Sequence, residues 1–198
     1  MTVRLSRPEQ TERNRALVLD AARRVFLERG YAGATVDAIA DAAGFTKGVV
    51  YSQFAGKPDL MFALIDLRIR ERGEANQRVA QELTGAEGLK SLLRANMRRE
   101  ATEADWMRLL MEFRLVVARD PELNARYAAA HEETIERFGR TLEEIAARGG
   151  LRLIYGTRHT TLLVFAVAAG VTLEHTAAPG ALPDEVLEEM FIRMTEPI

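Results

Sequence analysis

Two short apolar clusters on either side of Gly44 constrain the fold more strongly than any other feature of the chain. They lie within residues 35–57, TVDAIADAAGFTKGVVYSQFAGK. Thr35 can cap the start of a helix that ends near Gly44, and Thr46 can cap a second helix that ends near Phe54. The glycine allows the chain to turn tightly between the two helices. This arrangement predicts a helix-turn-helix.

The remainder of the chain shows the same helical period. Apolar residues recur at i, i+3, i+4 and i+7, as in amphipathic helices, and no segment alternates with the period-2 pattern of a strand. Residues 84–87, TGAE, match a capping box. The further predicted helices span residues 11–29, 58–83, 84 onward, 106–117, 120–148, 157–176 and 183–195. The sequence therefore predicts an all-α fold.

The chain is long enough for two parts, and positive charge is concentrated in the first. Its 198 residues exceed a typical domain of ~100–150 residues, so we expect a small helix-turn-helix domain over residues 1–56 and a larger helical domain over 57–198. Residues 1–60 carry nine of the 27 Lys and Arg but only seven of the 29 Asp and Glu. Four arginines, Arg4, Arg7, Arg13 and Arg15, precede or open the first helix, where we expect a solvated, mobile arm. This is a modest footprint for phosphate binding.

Catalysis finds little support in the sequence. The chain has no cysteine, no Gly-rich phosphate loop and no nucleophile elbow, and its three histidines lie in separate segments. His131 opens the sequence HEETI, in which Ile135 stands where a zinc protease has its second histidine. We therefore expect no enzyme activity, no metal and no cofactor.

The distribution of apolar residues gives no sign of a membrane segment. No apolar run follows the basic N-terminus, and the longest run, TLLVFAVAAGVTL at residues 161–173, is shorter than the ~20 residues of a bilayer span. The absence of cysteine suits a reducing compartment. We expect a cytoplasmic protein without a membrane partner, in which this run is a buried helix.

Residues 21–60 resemble the TetR/AcrR family of transcriptional regulators, and the stretch ATVDAIADAAGFTKGVVYSQFAGKPDL at residues 34–60 carries the resemblance. The similarity consists of a helix started by threonine, an Ala-Gly-aromatic turn, a Thr-Lys-Gly helix start, and Tyr-x-x-Phe followed by Lys. It implies that residues 1–56 form a DNA-binding domain and residues 57–198 a ligand-binding and dimerisation domain. It also implies a homodimer, usually a repressor, that a small molecule releases from operator DNA.

The resemblance assigns DNA contacts to nine residues of the helix-turn-helix: Thr35, Thr46, Lys47, Gly48, Val49, Tyr51, Ser52, Gln53 and Lys57. Thr46 and Lys47 correspond to positions that meet phosphate or bases, and Tyr51 and Lys57 to positions that meet phosphate. Such phosphate contacts position a protein on DNA, whereas contacts to base edges give specificity. Val49 departs from the family, which usually has threonine there, so it can only pack on a thymine methyl group or a sugar.

A candidate ligand pocket lies on two predicted helices of the larger domain. Their inward faces carry aromatic and apolar side chains with three polar groups: Trp106, Leu110, Phe113, Tyr127, His131, Thr134 and Phe138. Such a lining favours a small, largely hydrophobic ligand with one hydrogen-bonding end. The competing interpretation is that this aromatic stripe is ordinary core packing, in which His131 bonds a backbone carbonyl.

The last two helices predict self-association. Residues 161–173 are apolar on nearly every side, and Val186, Leu187, Met190 and Phe191 form a stripe on the final helix. A homodimer through these helices would cover both, and its two-fold symmetry predicts a pseudo-palindromic operator with half-sites ~34–36 Å apart.

The sequence thus predicts a dimeric, ligand-responsive repressor bound to double-stranded operator DNA. Two alternatives stay open: a helical DNA-binding regulator controlled by a protein partner without a small-molecule effector, and an all-α enzyme, which the absence of converging catalytic groups disfavours. The sequence also leaves open whether the ligand induces or co-represses.

Overall fold

The computed structural model describes residues 6–97, 101–180 and 182–198, and over these residues the chain forms nine helices and one small sheet. The predicted all-α class is confirmed. In chain order the elements are α1 Arg7–Gly33, α2 Val36–Ala43, α3 Lys47–Tyr51, α4 Lys57–Glu82, α5 Gly85–Asn96, α6 Ala101–Val117, α7 Pro121–Arg148, β1 Leu151–Leu153, α8 Gly156–Ala177, α9 Asp184–Ile192 and β2 Thr195–Pro197.

Local signals in the sequence account for the first three helices. Ser6 and Glu9 form a capping box that starts α1 at residue 7, four residues earlier than predicted. The hydroxyl group of Thr35 accepts a hydrogen bond from the Ala38 amide at 3.1 Å and caps α2. Gly44 follows α2 in the left-handed conformation, with φ of 71°, which makes the turn to α3 possible.

The predicted N-terminal arm is wrong in part. Arg7, Arg13 and Arg15 belong to the ordered helix α1, whereas Arg4 lies outside the described residues. Arg15 also contacts the rest of the domain, since it donates to the Gln53 carbonyl at 3.2 Å and lies 4.3 Å from the Phe54 ring centre. These three arginines therefore belong to a helix, and Arg15 is fixed against the end of α3.

Among the described residues, two hydrophobic clusters form the core. The first joins α1 to α4 with α6 and α7, and it contains Phe26, Ile39, Val50, Phe54 and Phe62 among its buried side chains. The second joins the C-terminal half of α4 with α5, α7, α8 and α9. Because α4, α6 and α7 contribute to the first cluster, the small domain is packed directly on the larger one.

Glycines permit close contact between α5 and α7. A Cβ atom on Gly149 would lie 2.1 Å from the Cα atom of Gly85, and one on Gly88 would lie 2.6 Å from the Cγ2 atom of Ile145. Larger residues at these positions would force α5 and α7 apart. Glycine is therefore needed where the two helices pack closely in the larger domain.

Some predicted element boundaries are wrong. Helix α3 ends at Tyr51 rather than near Phe54, and α9 ends at Ile192 rather than at residue 195. The last residues instead form β2, which pairs antiparallel with β1 in the register Leu151↔Pro197 and Leu153↔Thr195. A three-residue strand is too short to show a period of 2. The capping box predicted at residues 84–87 is also wrong, because Thr84 makes no side-chain capping bond.

Helix α8 is longer than the apolar run suggested. Among the described residues it is the one helix long and apolar enough to cross a bilayer, with a mean hydropathy of 1.3 over its most apolar 18 residues. The core helices of globular proteins meet the same criterion. Only 28% of that window is buried within the protomer, so the predicted burial of the run is incomplete in a single chain.

Candidate DNA-binding and ligand-binding sites

Helix α3 presents one face to the solvent and anchors the other in the core. Val50 is fully buried, whereas Lys47, Gly48 and Tyr51 are exposed, with Tyr51 at 54% of its maximum. Thr46, at the N-cap, is exposed and makes no capping bond through its side chain. Its hydroxyl group is thus available to an external partner.

The positive charge of Lys47, at the start of α3, is paired with the carboxylate of Asp37 on α2. The ammonium group of Lys47 lies 2.6 Å from Asp37 Oδ2, and both side chains are largely exposed. The hydrogen bond to Asp37 raises the pKa of Lys47. A phosphate group at this position would have to share Lys47 with the Asp37 carboxylate or replace it.

The remaining predicted contact residues of this region are hydrogen-bonded or half-buried within the protein. Thr35 caps α2, and the Ser52 hydroxyl donates to the Val49 carbonyl at 2.8 Å. Gln53 is half-buried, and its Oε1 atom is buried without a hydrogen-bond partner among the described residues. Val49 is also half-buried.

Lys57, another predicted DNA-contact residue, makes three hydrogen bonds within the protein. Its ammonium group lies at the end of α1 and donates to the carbonyl oxygens of Tyr31, Ala32 and Ala34, at 2.8, 3.4 and 3.1 Å. The ammonium nitrogen is also 4.5 Å from the centre of the Tyr31 ring, and burial lowers the pKa of Lys57. An ammonium group has three donors, and all three are used here.

A cavity of about 560 Å³ opens between α4, α6, α7 and α8. Six of the seven predicted ligand-binding residues line it: Trp106, Leu110, Tyr127, His131, Thr134 and Phe138. Phe113 does not line it, since its side chain is fully buried in the core, with its ring centre 4.8 Å from that of Tyr31 and 5.1 Å from that of Phe62. For Phe113, the competing interpretation of core packing is therefore correct.

Charged residues at one end of the cavity escaped the sequence analysis. Glu103 Oε2 accepts hydrogen bonds from both Arg68 and Arg72. Burial acts to raise the pKa of Glu103, but the hydrogen bond and charge of Arg68, reinforced by Arg72, hold that pKa below its usual value. The available signal was the position of Arg68 and Arg72 on the same face of α4 as Ile65 and Ile69.

His131 lies at the other side of the cavity in a row of rings. Its ring centre is 5.8 Å from that of Tyr127 and 6.1 Å from that of Phe165. Burial lowers the pKa of His131, and the nearby charge of Arg114 lowers it further. Within the described part of the chain, the imidazole has ring contacts but no hydrogen bond, so it can serve a ligand.

The cavity and the helix-turn-helix domain are physically connected through α6. Glu112 Oε2 accepts a hydrogen bond from the Tyr31 amide at 2.8 Å, next to Gly30, whose φ of 68° kinks α1. On the next residue of α6, Phe113 contacts Tyr31, and its ring centre is 6.4 Å from that of Tyr127 in the cavity wall. A shift of α6 would therefore displace the end of α1.

Helices α8 and α9 carry exposed apolar side chains. Leu163, Leu173, Val186 and Met190 are 44%, 55%, 46% and 49% exposed. In contrast, Leu187 and Phe191, which the sequence placed in the same stripe, are buried within the protomer. We refer to these four exposed side chains as the α8–α9 face.

Both parts of the chain match known protein families. Residues 18–64 match the family described as bacterial regulatory proteins, tetR family, and residues 85–196 match the C-terminal domain of BetI-type transcriptional repressors. The chain is 30% identical over 140 residues to the HTH-type transcriptional repressor AcnR of Corynebacterium efficiens, a match that covers 70% of this chain and 69% of AcnR.

Two solved structures share the fold at low sequence identity. The regulator FadR from Bacillus subtilis, in complex with stearoyl-CoA, matches with a TM-score of 0.68 and 18% identity over 90% of this chain and 96% of that one. A transcriptional regulator from Saccharomonospora viridis, in complex with choline, matches with a TM-score of 0.70 and 15% identity over 91% and 93%. These likenesses concern the fold alone.

Proposed function

The chain belongs to the tetR family of bacterial regulatory proteins, and on that premise we propose that it is a repressor that a cavity ligand releases from its operator. The family is non-enzymatic, in agreement with the prediction of no catalytic activity. In this proposal a dimer binds a pseudo-palindromic operator through α2 and α3. A small, largely hydrophobic molecule enters the cavity between α4, α6, α7 and α8.

The observation that carries the proposal is the link between cavity and DNA-binding domain through α6. Trp106 and Leu110 of α6 line the cavity, and Glu112 and Phe113 of the same helix contact Tyr31 at the end of α1. Packed helices respond to such a ligand by small rigid shifts rather than by local deformation. Ligand entry would therefore change the orientation of α1 and, with it, of α3.

The DNA-contacting surface in this proposal consists of the exposed residues of α3 and its N-cap. Lys47 and Tyr51 would reach phosphates, while Thr46 and Gly48 allow the start of α3 to approach base edges. We assign Thr35, Ser52 and Gln53 supporting roles at the rim, because each is hydrogen-bonded within the domain.

Selection from random duplexes tests the DNA-binding part. The proposal predicts recovery of a pseudo-palindrome whose half-sites lie about one helical turn, ~34–36 Å, or a multiple of it apart. Recovery of unrelated sequences at the same frequency as in the input pool would contradict it.

The dimer in this proposal forms through the α8–α9 face. Its exposed leucines, valine and methionine would be covered by the same residues of a second copy, as in an isologous four-helix interface. Leu173→Glu or Met190→Glu should shift the mass measured by light scattering from that of two chains to that of one. Leu115→Glu is the matched control, because Leu115 is 73% exposed but lies on α6. Dimers that survive both α8–α9 substitutions would exclude this interface.

The second candidate function, control by a protein partner without a small molecule, is not favoured. A cavity of about 560 Å³ lies within the 300–1,000 Å³ typical of small-molecule sites. A ligand that binds only the folded state raises the unfolding temperature, and the increase grows with the logarithm of its concentration above Kd. Absence of any stabilising compound in a chemically broad screen would favour the protein partner.

A further inference from the structure

The charges around the cavity indicate which class of ligand it accepts. We infer that the cavity binds an amphipathic organic anion, with the anionic group on Arg114 beside His131 and an apolar chain along α6. This inference rests on the proposed function, because it concerns the ligand of that cavity.

Arg114 differs from the other arginines that line the cavity. Arg68 and Arg72 share Glu103, Arg137 lies 3.1 Å from Glu133, and Arg140 lies 3.7 Å from Glu136. Within residues 6–97, 101–180 and 182–198, Arg114 has no carboxylate partner and only stacks over the Tyr127 ring, 5.4 Å from its centre. A guanidinium group presents five donors in a fork that matches a carboxylate.

The surroundings of Arg114 suit an anionic head group. The His131 ring stacks on the Tyr127 ring. Burial lowers the pKa of His131, and the nearby charge of Arg114 lowers it further. Its imidazole lacks a hydrogen bond within the described chain and can donate one to an anion. Thr134, one turn further along α7, already donates its hydroxyl hydrogen to the Ala130 carbonyl at 2.8 Å, so it can only accept. Arg114 and His131 therefore offer the ligand two donors beside the Tyr127 ring.

The same contacts disfavour a cationic ligand such as a quaternary ammonium. Such cations bind against the faces of aromatic rings. Here Arg68 lies 5.9 Å from the centre of the Trp106 ring, and Arg114 lies over the Tyr127 ring. The acidic groups are also occupied, since Glu103 is bound by two arginines and Glu144 lies 3.7 Å from Arg148. A cation would meet positive charge at both rings.

The apolar wall between the two charged ends sets the length of the ligand. Glu103 and Arg114 are eleven positions apart on α6, which corresponds to ~16 Å along the helix. The intervening cavity residues on this helix are Trp106, Met107, Leu110 and Met111. Methionines adapt to chains of different shape, so the wall suits a flexible hydrocarbon. A chain that extends past this wall would meet the cluster of Arg68, Arg72 and Glu103.

The test is thermal unfolding of the purified protein with saturated carboxylates, from hexanoate to tetradecanoate, below their micellar concentrations. We expect affinity to rise about fourfold per methylene and then to level off once the chain reaches the charged cluster. Decanol and decyltrimethylammonium serve as head-group controls, and both should bind about tenfold or more weakly than decanoate. Equal binding of decanol, or tighter binding of the ammonium compound, would overturn the inference.

Arg114→Met tests the position of the head group. Arg114 is exposed, so this variant is expected to fold, and it should lose about tenfold in decanoate affinity while its weak affinity for decanol is retained. Arg119→Met removes the same charge from the exposed turn after α6, outside the cavity, and should behave as the wild type. Equal decanoate affinity in the two variants would contradict the assignment.

Unfolding reports ligand binding without DNA, so the two proposals fail separately. Decanoate binding without release of the operator would contradict the ligand-responsive function and support the ligand class. Release of the operator by a neutral or cationic compound, with no stabilisation by carboxylates, would contradict the ligand class alone.

Discussion

The ammonium group of Lys57, at the start of α4, donates to the carbonyl oxygen of Tyr31, at the end of α1, across 2.8 Å. Two further carbonyls, of Ala32 and Ala34, accept from the same group. These carbonyls lie around the end of α1, where backbone acceptors lack helical partners, and a cation stabilises them. Lys57 thus joins the two helices that flank the helix-turn-helix.

We predict that Lys57→Met lowers the free energy of unfolding by about 2 kcal/mol, because the carbonyls lose a charged donor in a half-buried site. Urea denaturation measures this change. Lys47→Met is the matched control, since Lys47 is exposed and pairs only with Asp37, so its stability should stay near that of the wild type. Unchanged stability in Lys57→Met, combined with weaker DNA binding, would show that Lys57 contacts phosphate instead.

A second prediction concerns the transmission of the ligand signal. Glu112→Ala removes the acceptor of the Tyr31 amide but touches neither the cavity nor α3. It should therefore preserve ligand affinity and reduce the factor by which ligand weakens DNA binding. Titrating the operator complex with and without saturating ligand gives that factor. Glu112→Gln keeps an oxygen acceptor and should preserve most of the coupling. If Glu112→Ala responds to ligand as the wild type does, the α6–α1 contact is not part of the signal.

Two exposed residues of α3, Tyr51 and Lys47, are predicted to contact phosphate in different ways, one as a neutral donor and one as a cation. Tyr51→Phe removes a neutral donor and should weaken DNA binding about fivefold across all sequences, without changing the salt dependence. Lys47→Gln removes a cation and should reduce the slope of log K against log salt concentration by about 1. Binding measured at four salt concentrations distinguishes them. An unchanged affinity of Tyr51→Phe at every salt concentration would refute the phosphate role of Tyr51.

The environment of His131 predicts a pH dependence of stability. Burial, together with the charge of Arg114, holds the pKa of His131 below its usual value of 6.5 in the folded protein. Below that pH the unfolded chain binds more protons than the folded one, so stability falls as the pH decreases from about 6.5 toward the folded pKa. His131→Gln should flatten this part of the profile. Glu103 also loses stabilisation on acidification, but its window begins near its usual pKa of 4.5.

Thermal unfolding between pH 7.5 and pH 5 measures the effect of His131 before Glu103 titrates appreciably. His159→Gln is the matched control, because His159 is exposed and lies outside the cavity. An unfolding temperature that declines equally in the wild type and in His131→Gln over this range would mean that other groups cause the decline.

Several local features of the fold were predictable from the sequence, although the cap of α5 and the start of α1 were not, and the pairing of distant segments was not. The cap at Thr35 and the turn at Gly44 depend only on residues nearby in the sequence, and the structure contains both as predicted. The pairing of β1 with β2 joins segments more than forty residues apart through strands of three residues each. Such a pair leaves no periodic pattern to detect.

The candidate sites show the same contrast between what local sequence spacing predicts and what only the folded arrangement determines. Sequence spacing indicated that Leu110 and Phe113 both face inward, but only the folded arrangement shows that Leu110 faces the cavity and Phe113 faces Tyr31. Likewise, Arg68 is charged and would be assigned to the solvent by composition. Its position against Glu103 became apparent only when α4 and α6 were brought together.

The most direct test of the central claim is a fluorescence-anisotropy titration of the purified protein against the DNA that flanks its own reading frame. It is performed at two salt concentrations, with excess random competitor, and repeated with saturating decanoate. The account predicts saturable, competitor-resistant binding of two protomers per site, weakened at high salt and abolished or reduced by the ligand. Binding that the competitor removes completely, both here and with the duplexes recovered by selection, would contradict the claim that the chain is an operator-specific repressor.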